Sequence, residues 1–136
     1  MELMKKGSGI LRPLFQFHEG EKKLWEIMAE YIPSTVSSIQ KQFVDHIEYS
    51  LAKTRFNFDI KSAYRAIALS VRDRLIESWN DTNNHFYFKK PKRVYYLSME
   101  FLLGRLLQNN LINMDLETKY RQALEDLGYN LEEIYE

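Results

Sequence analysis

Only one stretch of this sequence has clear β character, and it runs straight into a helical pattern: VYYLSMEFLLGR, residues 94–105. Val94 to Leu97 form a strand candidate, apolar on both faces, as in a sheet covered on both sides. Such a strand cannot stand alone, because its backbone N–H and C=O groups must find partners. Ser98 is placed to cap the helix that follows. Glu100 falls in that helix's first turn, where the partial positive charge favours a carboxylate. Met99, Leu102, Leu103, Leu106, Leu107 and Leu111 supply its apolar face. Gly104 inside it costs about 1 kcal/mol relative to alanine, which implies that something packs close to the backbone. α/β proteins build their sites at junctions of this kind, at the end of a sheet.

Helical spacing governs the rest. Leu24, Ile27, Met28 and Ile32 share one side of a short helix over Glu21–Ile32, which Pro33 stops. Ser34 or Thr35 can cap the next helix, whose stripe is Val36, Ile39, Phe43, Ile47 and Leu51, widened by Val44. Residues 52–61 break the pattern and set Phe56 and Phe58 in a polar loop, either tucked beneath it or turned to a partner. Ser62 caps a third helix with Tyr64, Ile67, Ala68, Val71, Leu75 and Trp79 inward. Arg65, Arg72, Asp73 and Glu77 form its wet face, with Arg74 read as exposed too. NDTNN (80–84) is a turn signal, HFYF (85–88) a short strand or extended aromatic segment, and Lys89–Arg93 around Pro91 a basic bend. Asp115 caps a fifth helix that turns Leu116, Tyr120, Leu124 and Leu127 inward and stops at Gly128. Asn130 opens a last one, too short at six residues to stand by itself. A lone strand and a helix cut short predict the N-terminal piece of a larger α/β protein.

Composition narrows the function classes. At 45% hydrophobic and 14% aromatic, the 136 residues can pack a core in one domain. Nineteen basic and nineteen acidic side chains cancel, so no overall field steers the chain to nucleic acid or an anionic membrane. The absence of cysteine removes disulfides and thiolate sites and fits a reducing compartment. No apolar run has the roughly eighteen residues that a membrane span needs, and the N-terminus lacks the pattern of a secretory signal; a soluble intracellular protein is expected. Residues 1–21 read as an irregular tail in which Ser8 follows Lys5 and Lys6. His18, His46 and His85 have no metal-site spacing, and phosphate-loop and nucleophile-elbow motifs are missing. Glu100 is the one carboxylate placed where a catalyst would sit.

PKRVYYLSMEFLLGRLLQNNLINM (91–114) closely resembles a signature stretch of the α-1,4-glucan phosphorylases, which act on glycogen, starch and maltodextrin. AYRAIALSVRDRLIESWNDT (63–82) resembles the helix before that stretch, and ALEDLGYNLEEIYE resembles the approach to the family's glycine-rich active-site loop. The likeness extends over roughly residues 36–136. It implies a mostly helical N-terminal segment leading into the first Rossmann-like domain of a two-domain, GT-B-like glycosyltransferase. Residues 1–33 are then a tail and short helix, and 34–136 an incomplete part of the N-terminal domain. The family reaction is phosphorolysis: inorganic phosphate releases α-D-glucose 1-phosphate from the end of an α-1,4-glucan. Pyridoxal phosphate is the cofactor, held on a lysine that falls outside this chain, so the segment alone lacks the catalytic centre. A cytoplasmic homodimer is expected, with no metal, nucleic acid or membrane partner.

By the same resemblance Glu100 lies at the active-site margin, and Leu102 stands where animal members have a tyrosine. Tyr87 matches a tyrosine that stacks on a regulatory nucleotide in those members. Thr54, Asn83, Asn84 and Asp81 depart from the residues that accompany it; Asp81 replaces a phosphoserine-binding arginine and would repel a phosphate. Animal-style nucleotide activation and phosphorylation are therefore not expected. Phe56 and Phe58 are the candidates for subunit contact. The competing expectation is a non-catalytic helical module for dimerisation or partner binding through the 52–61 loop.

Overall fold

The computed structural model describes residues 31–135, so the tail, Ser8 with its lysines, and the short helix expected up to Ile32 lie largely outside the described residues. The chain divides between Ile32 and Pro33, and every helix described belongs to the second unit. In chain order these are α1 (Val36–Asp45), a π-helical turn (His46–Ser50), α2 (Ile60–Lys89), α3 (Leu106–Asn113), α4 (Glu117–Glu125) and α5 (Leu131–Tyr135). Among the described residues there is no strand, and the architecture is helical.

Thr35 caps α1 as its chemistry requires: the Ser38 N–H donates to Thr35 Oγ1 over 3.2 Å. Ile39 and Phe43 are buried, while Val44 faces water at the edge of the stripe. The helix expected to reach Leu51 widens after Asp45, where the Leu51 N–H reaches back five residues to the His46 carbonyl. Ile47 and Leu51 still pack against the core from this wider turn. Gln40 ties α1 to α4 by donating to the Ala123 carbonyl and to Asp126 Oδ2, at 3.3 and 3.1 Å.

α2 departs from expectation at both ends. Its cap is Asp59 rather than Ser62: Asp59 Oδ1 accepts from the Ser62 N–H at 2.8 Å and from the Ser62 hydroxyl at 2.6 Å. These two bonds hold the Asp59 carboxyl below its ordinary value. At the other end the helix continues through residues 80–89, where a turn and a strand were expected. Asparagine and aspartate each cost a helix no more than about 0.7 kcal/mol relative to alanine, and Thr82 spends its hydroxyl inside the helix, on the Ser78 carbonyl 2.9 Å away. The helix stops at Lys90, which adopts the left-handed conformation (φ 45°) and donates its N–H to the Phe86 carbonyl. Pro91, having no N–H, cannot continue it. Trp79 is exposed rather than inward, and so is Tyr64.

Residues 90–105 form neither the expected strand nor the start of a helix. A strand exists only as part of a ladder, and no described residue offers one to Val94–Leu97. Ser98 does not cap a helix; its hydroxyl accepts the Glu100 N–H at 3.0 Å in a local turn. Helical structure resumes only at Leu106. Gly104 has open space around it, with no atom within 4 Å of a built Cβ, so the close approach expected there is not made.

The last two helices close the core. Asp115 is not a cap but a left-handed link (φ 55°) between α3 and α4. Leu116, Tyr120 and Leu124 turn inward as their spacing predicts, whereas Leu127 is left partly in water. Gly128 ends the segment at φ 82°, a conformation that a Cβ disfavours, and the Tyr129 N–H returns to the Leu124 carbonyl. Asn130 Oδ1 accepts the Glu132 N–H at 2.9 Å. The short α5 owes its place to burial rather than length: Leu131 is 0% and Ile134 3% exposed. Together with Ile39, Phe43, Ile67, Val71 and Leu111 they form one continuous core.

Candidate functional site

The sequence-derived site residues are spread over three places. Glu100 is exposed in the irregular segment after α2, and its backbone bond to Ser98 is a turn contact. Around it Val94, Tyr95, Tyr96, Leu97, Met99, Leu102 and Leu103 are all at least 70% exposed. Tyr87 sits near the end of α2, exposed, its ring edge-on to Phe88 at 5.5 Å. Asn83 lies one turn before it on the same side of the helix. The 51–59 loop separates its two phenylalanines. Phe58 folds inward against Phe43 and Tyr129, at centroid distances of 6.3 and 5.7 Å. Phe56 stays out at 83% exposure, with the Arg55 guanidinium 4.6 Å over its ring. Thr54 and Asn57 close the turn beneath it, the Thr54 N–H donating to Asn57 Oδ1 at 2.7 Å.

The polar centre of the molecule is one that helical periodicity assigned to water. Arg74 is 3% exposed. Its Nη1 donates to Ser70 Oγ at 3.0 Å, to the Ser70 carbonyl at 3.2 Å, to Tyr120 Oη at 3.1 Å and to Gln42 Oε1. Its Nη2 reaches the Pro33 carbonyl at 3.2 Å. Ser70 Oγ and Tyr120 Oη are 2.7 Å apart, so α1, α2 and α4 meet in one polar cluster. Burial pushes the Tyr120 phenol up, against the opposing pull of Ser70 and Arg74. One signal for Arg74 was present in the sequence: it follows Ala63, Ala66, Ile67 and Ser70 at helical spacing, on the buried side of α2.

Nothing among the described residues fits pyridoxal phosphate. Every described lysine is exposed or only half-buried, and none stands in a closed pocket. An open depression is formed by Gly104, Arg105, Leu106, Gln108, Asn109 and Ile112, and Glu100 does not line it. A second depression, against Leu51, Tyr64, Ala68 and Leu69 with Arg65 and Arg72 at its rim, is likewise open. The described residues hold no cluster of metal-ligating side chains, and none of their helices is long and apolar enough to cross a membrane.

No protein-family model matches the chain. It is 48% identical over 113 residues to glycogen phosphorylase 2 of Dictyostelium discoideum, a match covering 83% of this chain and 11% of that protein. It is 45% identical over 108 residues to the glycogen phosphorylase of Saccharomyces cerevisiae, covering 70% of this chain and 12% of the relative. With the H isozyme of alpha-glucan phosphorylase from Vicia faba the identity is 48% over 91 residues, covering 67% and 11%. The chain thus spans about a ninth of the length of the relatives it matches.

Proposed function

We propose, for a chain that carries a segment of the α-glucan phosphorylase family, that the whole protein phosphorolyses α-1,4-glucan to α-D-glucose 1-phosphate. The likeness to phosphorylases of a slime mould, a yeast and a plant is the observation that carries this reading. In it, the present residues are the helical entry to the first of two Rossmann-like domains. Pyridoxal phosphate is bound by residues beyond those described, and the enzyme works as a cytoplasmic homodimer. Glu100 belongs to the margin of the active site, Tyr87 to the surface that takes a nucleotide in animal members of the family, and the 51–59 loop, through Phe56 above all, to the contact with the second subunit. Phe58 supports that loop from inside.

The exposed apolar run at 94–103 supports the same reading. Its side chains are those of a buried strand and helix start, and a sheet contributed by the remainder of the protein would cover them. The test is release of glucose 1-phosphate from glycogen and phosphate by the full-length protein. Glu100→Ala in that protein should lower turnover while leaving the dimer intact; unchanged turnover would remove Glu100 from the site. A non-catalytic dimerisation or binding module is the second reading, favoured by the exposure of Phe56. A native mass near 16.3 kDa, without phosphorolysis, would select it.

A further inference from the structure

The π-helical turn holds a second polar chain, separate from the Arg74 cluster. Asp73 Oδ2 on α2 lies 3.2 Å from His46 Nε2, and His46 Nδ1 lies 2.9 Å from the Ser50 hydroxyl. The other carboxylate oxygen, Oδ1, meets Arg72 at 3.5 Å. A carboxylate only accepts, so Nε2 is the donor to Asp73, while Nδ1 shares a hydrogen bond with the Ser50 hydroxyl. Both ring nitrogens are therefore engaged, and the side chain is only 15% exposed.

The 51–59 loop hangs from the backbone of the same turn. The Leu51 N–H donates to the His46 carbonyl and the Lys53 N–H to the Ile47 carbonyl, each over 2.9 Å. Between them Ala52 is held at φ 50°, a left-handed conformation that a Cβ disfavours. A strained residue persists only where its surroundings fix it. Here the surroundings are a widened turn whose first residue is clamped through its side chain to α2. Phe56 lies four residues further on.

We propose that Asp73, acting through His46, is a positioning residue that sets the 51–59 loop and with it the presentation of Phe56 to a second copy of the chain. The partner named here rests on the reading of Phe56 as a subunit contact. The positioning itself does not.

Amide hydrogen exchange on the full 136-residue chain tests it. Asp73→Ala should speed exchange at Leu51 and Lys53 about tenfold, while the Tyr120 and Leu124 amides of α4 keep their protection. Asp73→Asn retains an oxygen that accepts from Nε2, and should restore protection at Leu51 and Lys53. Wild-type exchange at these two amides in Asp73→Ala overturns the proposal, and so does equal loosening in Asp73→Asn. Sedimentation of the full-length protein separates the partner from the positioning. Phe56→Ala should weaken self-association and leave the Leu51 and Lys53 amides unchanged. If Phe56→Ala associates like wild type, the second-copy assignment fails, while the amides still decide whether Asp73 sets the loop.

Discussion

At the centre of the bundle the Arg74 guanidinium is 3% exposed, whereas further along the chain Leu97 is 92% and Leu102 fully exposed. The most polar side-chain type is inside and the most apolar outside. The difference lies in what surrounds each. Arg74 meets two hydroxyls, an amide oxygen and two carbonyls brought together by α1, α2, α4 and the approach to α1, enough acceptors to replace much of the water it loses. Val94–Leu103 meets no complementary surface among the described residues. Burial follows the partners on hand as much as it follows residue type. An exposed apolar run of this length marks an interaction surface.

The largest way to break that contrast is to remove the buried cation. Arg74→Ala leaves Gln42, Tyr120 and the Pro33 carbonyl short of a donor and opens a cavity, and should cost about 3 kcal/mol in urea or thermal unfolding. A loss below about 0.5 kcal/mol would mean that the cluster contributes nothing to stability.

An alkaline titration sharpens the same point. Desolvation raises the Tyr120 phenol, and desolvation, with Glu117 and Glu132 nearby, raises Tyr135 to about 12. Both groups are favoured protonated in the folded state. Their contribution is therefore whole below the ordinary tyrosine value near 10 and is lost as pH climbs from there through about 12. Tyr135→Phe should flatten the fall in stability over that window. An unchanged slope would show that Tyr135 titrates alike folded and unfolded.

The smallest effect belongs to the other region. Leu97→Ser and Leu102→Ser should each change the stability of the 136-residue chain by no more than about 0.5 kcal/mol, since nothing described packs on them. In the full-length protein the same substitutions should reduce both stability and phosphorolysis. Equal, large losses in both would show that the segment already has a partner within the short chain.

Features set by neighbouring residues were legible in the sequence. Thr35 and Asn130 cap because a side-chain oxygen three or two residues before an N–H needs no distant partner. Gly128 stops a helix because it lacks a Cβ. The inward set of α4 follows from spacing alone, except at its end, Leu127. What the sequence did not reveal depends on contacts far along the chain. Arg74 is buried by acceptors 32 and 46 residues away, in α1 and α4, and the wet-face rule has no view of them. Residue type predicts a strand at Val94, but a ladder requires a second strand. The turn signal at 80–84 was real yet weaker than the continuity of a helix already fixed at its other end. Of the candidate site, Glu100, Tyr87 and Phe56 could be named from motif likeness, while the Asp73–His46–Ser50 chain joins a helix to a turn 23 residues before it and has no local signature.

One consequence of α2 concerns leverage. The helix has 30 residues, and those buried all fall between Ser62 and Arg74. The remainder runs on for about 22 Å beyond Arg74 as a largely exposed arm with Tyr87 near its tip. A tilt of about 5° at the Arg74 pivot would swing that tip through about 2 Å, by rigid rotation of a helix of this length. The polar cluster that fastens the first half of α2 thereby also acts as the fulcrum for the second. A small repacking around Tyr120 would be magnified at a surface some four turns away.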